Sequence, residues 1–278
     1  MKLVKRILVF IVAVFVLIGI AIALIYHDYK NFCHSTVPIF AYHRVEDASD
    51  VYTMPPKMFE EQMIYLKSKG YTTMNLDEYA AARKRGDKLH KKMVLIFDDG
   101  YIDNLENAAP IMQKYGFTGS MFMAVRYEGW PGYFDWHTQH DLLKYGWEIG
   151  SHTYSHKPLT DLKPAEVKEE LLRSKAYIQG IYNPPGGITL SYPSGKTNDA
   201  VVKQVEEAGY IAAVSGDVGI NTDETPLCRL KRVNVFQYKS MDLDMFKYQL
   251  YKALFTSWGE YHGFNVTRWV DRMRAILN

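Results

Sequence analysis

The feature of this chain that most constrains its fold is the repeated alternation of short apolar segments with longer amphipathic ones. The runs "VPIFAYH", "MVLIF" and "YIAAVS" have the length and composition of buried strands. Helix-like segments lie between them, among them "KPAEVKEELLRSKAYIQG", which Gly180 should end, and "NLENAAPIMQKYG", which Pro110 could kink. About seven such units in about 240 residues predict an α/β fold, a distorted (β/α)7-type barrel with parallel strands inside and helices outside.

The overall composition is that of a globular protein, with 47% hydrophobic and 23% charged residues. A length of 278 residues suits one large domain or two small ones once a membrane segment is set aside. The net charge of +2 gives no support for nucleic-acid binding. The 21 tyrosines and 5 tryptophans are expected mainly in the core, although aromatic rings can also stack on sugars.

The N-terminus carries an apolar run, Ile7–Tyr26, that follows a basic end containing Lys2 and Arg6. About 20 apolar residues span a bilayer as a helix, whereas the apolar core of a signal peptide has about 7–15. We therefore expect a single-pass anchor in the cell membrane, with the basic end in the cytoplasm and the remainder outside. A signal peptide cut near Ala23, which would give a secreted form, is the alternative. The expected division is residues 1–6 as a cytoplasmic tail, 7–26 as the anchor, 27–36 as a linker and 37–278 as the folded domain.

The two cysteines, Cys33 and Cys228, form no CxxC pair, which argues against a thiolate metal site. In an oxidising compartment they could form a disulfide bond, and otherwise they are two free thiols.

Polar residues follow four of the predicted strands, where barrels of this kind carry their active sites. The run "MVLIF" leads directly into Asp98 and Asp99, two adjacent carboxylates that need a compensating charge. A solvated turn is the plainer interpretation of "DDG". The other strand ends carry His43, His152 with His156, and Ser194 with Gly195.

The spacing of His152 and His156 indicates a metal site. On a helical turn, residues four apart project on one side, and two imidazoles with one carboxylate make a three-ligand site for Zn²⁺ or a similar divalent metal. A pair of surface histidines is the alternative. With a metal present, one aspartate could bind it while its neighbour accepts a proton from a metal-activated water.

Together these motifs resemble those of the polysaccharide deacetylases of carbohydrate esterase family four. "FDDG" matches the first motif of that family, "SHTYSH" matches its H-S/T-x-x-H motif, and "YPSG" resembles its third motif, within a similarity that extends from Pro38 to Val235. The resemblance implies a distorted barrel that uses a divalent metal to remove acetyl groups from N-acetylated sugars. It assigns Asp98 as general base, Asp99, His152 and His156 as metal ligands, the backbone N–H of Ser194 as an oxyanion donor, and Tyr192, Pro193 and Gly195 as substrate-binding residues.

Two departures from the family pattern concern catalysis. Many members have arginine at the start of the third motif, where this chain has Ser191, and the C-terminal segment "RLKRVNVF" lacks the histidine that serves as general acid. The N-terminal "FAYHRV" resembles the subgroup that deacetylates poly-β-1,6-N-acetylglucosamine, in which the acid motif lies at the front of the domain. His43 would then protonate the leaving amine, with a structural role as the alternative and His262 as the next candidate acid.

The sequence thus predicts a membrane-anchored, metal-dependent N-deacetylase, with residues 37–278 as its catalytic domain, acting on a β-linked N-acetylglucosamine polymer of the kind found in biofilms. The expected partners are this polysaccharide and, through the N-terminal helix, the membrane, without nucleic acid. Peptidoglycan, chitin oligomers and O-acetylated xylan are alternative substrates. A catalytically inactive carbohydrate-binding protein is the alternative from a different class, and the missing arginine at position 191 is what favours it.

Overall fold

The computed structural model describes residues 2–48, 50–236 and 242–266 and has the predicted architecture of a seven-stranded parallel barrel with helices outside. The strands are β1 Ile39–Tyr42, β2 Thr72–Thr73, β3 Lys92–Phe97, β4 Ser120–Met123, β5 Glu148–Ser151, β6 Thr189–Ser191, β7 Ala212–Val218 and β8 Leu230–Asn234. The helices are α1 Lys2–Ser35, α2 Pro56–Ser68, α3 Leu76–Arg85, α4 Ala109–Lys114, α5 Thr138–Leu143, α6 Pro164–Ile181, α7 Asp199–Glu207 and α8 Leu243–Tyr261.

The barrel closes through β1, which pairs in parallel with both β3 and β8. Phe40 lies opposite Leu95 on one side and opposite Val233 on the other. The short strand β2 lies outside this ring and pairs with the start of β3. Because all of these strands are parallel, their C-terminal ends meet at one rim of the barrel and their N-terminal ends at the opposite end, here called the base.

Alternation along each strand divides the core into two clusters. The smaller cluster lies inside the barrel and contains Ile39 and Ala41 of β1 with Val94 and Ile96 of β3. The larger cluster lies between the strands and the helices and includes Leu95 and the neighbouring outward residues. Strands buried on both faces read as continuous apolar runs, which is why the sequence pattern revealed them.

Gly180 and Pro110, the residues expected to end or kink a helix, both lie near one end of a helix. Gly180 does not end α6, which continues to Ile181, because a single glycine in a helix interior costs only about 1 kcal/mol. Pro110 is the second residue of α4 and lies where a π-helical turn continues into that helix. A turn of π-helix, Asn104–Ala108, precedes it.

The N-terminal helix α1 is long and apolar enough to cross a bilayer, although a signal sequence can have the same character. Residues 27–36, expected as a linker, continue this helix as far as Ser35. The end of α1 packs on α8: Tyr29 makes edge contacts with the rings of Phe255 and Trp258, and the Trp258 indole donates a 2.7 Å hydrogen bond to Asp28. Both cysteines are free thiols.

Candidate functional site

The alternation that builds the barrel core also aims a set of polar side chains into its rim. Asp98 follows Val94 and Ile96 at two-residue spacing, so its side chain points into the barrel. His43 stands in the same relation to the inward residues of β1, and Arg232 to the inward Leu230 of β8. Three strands distant in sequence therefore deliver ionisable groups to one end of a closed barrel.

Three side chains that could together hold a metal ion, Asp99, His152 and His156, lie at this rim. The imidazole Nε2 atoms of His152 and His156 are 3.4 Å and 3.1 Å from Oδ1 of Asp99. One ligand atom from each of the three residues lies within 4.8 Å of the other two. The backbone of Asp99 has a φ of 78°, which turns its carboxylate away from the direction taken by Asp98.

The polar surroundings of this cluster fit a bound cation. The Nδ1 atom of His152 is 2.8 Å from the carbonyl oxygen of Ser191, so it carries the proton and leaves the Nε2 lone pair facing Asp99. Oδ1 of Asp99 is buried and has no hydrogen-bond partner. Burial raises the pKa of Asp99, but His156, whose Nε2 lies 3.1 Å from Oδ1, and the other nearby imidazoles outweigh it and hold that pKa well below its usual range. Converging lone pairs in a buried space are the environment that a divalent metal stabilises.

The two histidines reach this arrangement from a loop, so the helical turn assumed from their spacing is wrong. Thr153 and His156 have left-handed backbone conformations, with φ of 65° and 62°. The loop is held by Glu170 of α6, whose carboxylate accepts hydrogen bonds from the backbone N–H groups of Tyr154 and Ser155. The rings still approach to 4.8 Å between centroids.

Asp98 is compensated by a residue that the sequence interpretation missed. Arg232 donates a 2.7 Å hydrogen bond to Oδ2 of Asp98, and both side chains are almost fully buried. Burial raises the pKa of Asp98, whereas His152 and Arg232 lower it, and the net shift is downward. Arg232 thus supplies an arginine at the site although position 191 has none. The alternation in "RLKRVNV", which puts Arg232 on the same face of the strand as the apolar Leu230, was the available signal.

His43 lies at the same rim, at the end of β1. Its ring is close to those of Tyr52 and Phe236, at centroid distances of 5.0 Å and 5.6 Å. Burial lowers the pKa of His43, while the charges of Asp98 and Asp99 oppose that effect. Its buried Nδ1 has no hydrogen-bond partner, and a structural role would be expected to provide one.

The third motif forms the end of β6. Tyr192 is fully buried and its hydroxyl donates to the carbonyl of Cys228, so its side chain points outward into the core. Any contact between Tyr192 and a ligand would therefore be through its backbone. Pro193 is buried as well, Ser194 is exposed with a φ of 58°, and a Cβ at Gly195 would lie 2.4 Å from the Cα of Gly216. That close approach between the third motif and β7 is possible only for glycine.

A group of aromatic side chains beside the cluster, here called the aromatic rim, was also missed, because aromatic residues in the sequence were assigned mainly to the core. Trp130 is 50% exposed, and its ring lies 4.8 Å from that of Tyr127. The Tyr127 hydroxyl in turn lies 3.4 Å from Nδ1 of His156. Tyr133 completes the rim by stacking on Tyr101 at 4.7 Å.

The loop of residues 124–134 carries the aromatic rim. It is hydrogen-bonded to the segment of the two histidines and to the segment of the aspartate pair. The backbone N–H groups of residues 125 and 126 donate to the carbonyls of residues 153 and 154, within the histidine segment. The N–H of Phe134 donates to the carbonyl of Gly100, and Gly132 accepts from the N–H of Ile102, next to the aspartate pair. The aromatic rim is therefore held in place relative to Asp99, His152 and His156.

The remaining histidines are not part of this cluster. His262 pairs with Asp28 at the end of α1, at a distance of 2.8 Å, so it lies at the base and is wrong as a reserve candidate for the acid. His140 packs against Trp136, and His90 packs against His34.

Comparisons with known proteins were made with this geometry in hand. A family model described as polysaccharide deacetylase matches residues 85–213. YxkH of Bacillus subtilis strain 168, which is named as a polysaccharide deacetylase, is 31% identical over 200 residues, covering 72% of this chain and 71% of the relative. Poly-beta-1,6-N-acetyl-D-glucosamine N-deacetylase of Staphylococcus aureus is 27% identical over 208 residues, covering 68% and 69%. The deacetylase PplD of Streptococcus pyogenes, solved in complex with acetate, has a TM-score of 0.70 at 23% identity, covering 80% of this chain and 99% of that one, which shows a shared fold.

Replacing His152 by alanine is expected to abolish stoichiometric metal binding, because only two of the three ligands remain. The full chain, purified in detergent and dialysed against a trace of divalent metals, should hold close to one equivalent by elemental mass spectrometry. His140→Ala is the matched control and should keep the metal. Equal metal content in the His152→Ala variant and the parent would contradict the assignment.

Replacing Arg232 by methionine is expected to lower the free energy of unfolding by about 3–5 kcal/mol, because Asp98 is left as a buried charge without its partner. Adding Asp98→Asn should recover part of that loss. Arg229→Met is the control, since the ion pairs of Arg229 are exposed and worth about 0–1 kcal/mol. Denaturant unfolding in the presence of a chelator measures the parent, the two single variants Arg232→Met and Asp98→Asn, the double variant and Arg229→Met without a metal contribution. An additive double variant would show that the pair does not interact.

Proposed function

This chain belongs to the polysaccharide deacetylase family and is a hydrolase of carbon–nitrogen bonds, and we propose that it removes acetyl groups, as acetate, from a β-linked polymer of N-acetylglucosamine. The observation that carries the proposal is the rim where the Asp99, His152 and His156 cluster adjoins a buried Asp98. Poly-β-1,6-N-acetylglucosamine is the favoured polymer, because the Staphylococcus aureus relative is named for that substrate.

In the proposed reaction, the cluster of Asp99, His152 and His156 would hold a metal, and four further residues have separate roles. A divalent metal, with Zn²⁺ favoured, would be held by the cluster and would act when bound as a Lewis acid. Asp98 takes the proton of the attacking water through Oδ1, which has no hydrogen-bond partner, while Arg232 occupies Oδ2. The backbone N–H of Ser194 donates to the carbonyl oxygen as negative charge develops on it. His43 protonates the departing nitrogen, since an amine leaves poorly without a proton.

The aromatic rim supports a sugar polymer as the substrate. The half-exposed ring of Trp130 and the neighbouring Tyr127 present apolar faces next to His156. The C–H faces of a pyranose ring can pack against such surfaces while the sugar hydroxyls stay in water. We propose that Trp130 binds a sugar residue adjacent to the one that loses its acetyl group.

The proposed location is the outer surface of the cell membrane, with α1 as the anchor. The length and apolar character of α1 support an anchor, and the extracellular polymer supports a catalytic domain on that side. Recovery of a soluble form cut after Ala23 would instead support a secreted enzyme.

An inactive carbohydrate-binding protein is less well supported by the site. Its main support was the absence of arginine at position 191, and Arg232 now pairs with the carboxylate in question. Incubating the full chain with defined β-1,6 and β-1,4 oligomers of N-acetylglucosamine, and with O-acetylated xylan, tests the proposal by mass spectrometry. Loss of acetyl groups from the β-1,6 oligomers is expected. Acetate release from xylan alone or from the β-1,4 oligomers alone would refute the favoured polymer, and no release from any of the three or from peptidoglycan would favour the binding protein.

Replacing His43 by alanine should leave metal content unchanged and lower turnover on the amide substrate by roughly 10²–10⁴, the usual worth of acid–base catalysis. The same variant should lose much less activity on an activated acetyl ester, because that leaving group needs no proton. His137→Ala is the matched control. Equal losses on amide and ester would show a structural role for His43.

Replacing Trp130 by alanine should raise KM for an oligomer roughly 5–30-fold, as expected for about 1–2 kcal/mol of contact between ring and sugar. Its kcat on a small activated ester should not change. Trp136→Ala is a close control, because Trp136 is 46% exposed but packs on His140 and Tyr177. Equal KM values for the parent and both variants would remove Trp130 from the substrate site.

A further inference from the structure

A second functional surface lies at the base of the barrel, around the end of α1. The segment "RKRGDKLHKK", residues 83–92, runs from the end of α3 into β3 and holds six lysines and arginines against one aspartate. It ends where β3 begins, so it lies at the opposite end of the barrel from Asp98. His90 of this segment packs on His34 of α1, with ring centroids 4.8 Å apart.

The far side of α1 is flanked by exposed aromatic residues near the end of α8. Phe255, Tyr261 and Phe264 are each about half exposed or more, and Tyr261 contacts Phe32 of α1. A cavity of about 550 Å³ lies between the basic segment, the end of α1 and Tyr261. Basic and aromatic features therefore converge on the same end of the same helix.

The continuity of α1 sets the depth of these groups relative to a bilayer. The apolar run ends at Tyr26, and Tyr29 and Phe32 lie about 4.5 and 9 Å further along the axis at 1.5 Å per residue. Each headgroup layer is about 5–7.5 Å thick. If α1 spans the bilayer, as proposed above, the side chains packed on Tyr29 and Phe32 lie in or at the edge of the headgroups.

We propose that the base of the barrel docks on the membrane that α1 crosses, with residues 83–92 binding the phosphate groups of anionic phospholipids and the end of α8 lying at the interface. Clustered lysine and arginine side chains are attracted to anionic lipid surfaces within a Debye length, and aromatic rings favour the interfacial layer. Asp87 pairs with Arg85 inside the segment and neutralises one of the six positive charges, which leaves five.

Docking at the base fixes the direction of the catalytic rim. The rim lies at the C-terminal ends of the strands and the base at their N-terminal ends, so a docked barrel turns Asp98 and Trp130 away from the lipid. The site would then meet polymer in the space beyond the membrane surface.

The test uses the full chain in nanodiscs that contain a trace of lipid with a nitroxide on its headgroup. Cys33→Ser and Cys228→Ala remove the native thiols, and a fluorophore is attached either at Phe264→Cys at the base or at Trp130→Cys at the rim. Strong quenching is expected at 264 and little at 130 in nanodiscs of equal phosphatidylglycerol and phosphatidylcholine. Quenching at 264 should fall in phosphatidylcholine alone and in high salt.

The matched variants change the same number of charges at two places. Lys84→Gln, Arg85→Gln and Lys88→Gln together should remove most of the quenching at 264. The control triple Lys57→Gln, Lys168→Gln and Lys203→Gln, on exposed positions of the outer helices, should leave it unchanged. Thermal unfolding of both triples should match the parent, which excludes loss of fold as the cause.

The outcomes separate the docking surface from the proposals on which it depends. Equal quenching at 264 and 130, or equal behaviour of the two triples, refutes docking while leaving the anchor in place. A chain that does not enter nanodiscs refutes the anchor and this inference together. Acetate release from the oligomers, assayed on the unlabelled parent chain in the same nanodiscs, reports on the proposed activity independently of both.

Discussion

The site depends on separate compensation of two adjacent carboxylates at the end of β3. Strand alternation directs Asp98 into the barrel, where Arg232 neutralises it, and the left-handed backbone of Asp99 turns its carboxylate toward two imidazoles. Either charge left alone in this buried position would cost several kcal/mol. The pairing of β1 with both neighbours is therefore as important to the site as the aspartates are, because closure of the ring brings β8 and its arginine to β3.

The sequence predicted the features that follow from local pattern along the chain. It did not predict those that depend on closure of the barrel. Repeated β–α units predicted the barrel, and polar residues after apolar runs predicted the rim, because both follow from alternation along a strand. Arg232 lies 134 residues from Asp98, and only the ring of strands brings them together. The spacing of His152 and His156 suggested a helix, yet the loop conformation depends on Glu170 of α6. Trp130 was missed because exposure of an aromatic ring cannot be inferred from its presence in the sequence.

Polar residues at the rim of the barrel and Glu148 at its base differ in whether their buried polar atoms have hydrogen-bond partners. At the rim, Nδ1 of His43 and Oδ1 of Asp98 are buried and have no hydrogen-bond partner, as expected for atoms that interact with a ligand. At the base, buried Glu148 is fully engaged: it accepts hydrogen bonds from the N–H groups of Leu76 and Asp77 and from the hydroxyls of Ser120 and Thr189. Burial, followed by the charge of Asp77, raises the pKa of Glu148 to about 8. The hydrogen bonds of Glu148 rigidify the base, and the unpaired atoms of His43 and Asp98 leave the rim ready for a ligand.

The loop of residues 124–134 has a consequence for how such a domain can diversify. Its backbone is joined to the aspartate segment on one side and to the histidine segment on the other, so it is not an interchangeable module. A graft that replaced the backbone of this loop would also disturb the spacing between Asp99 and the two imidazoles. If Trp130 binds sugar and Asp99 binds a metal, as proposed, replacing this loop would change substrate range and metal affinity together, whereas exchanging the side chain of Trp130 alone would change only substrate range.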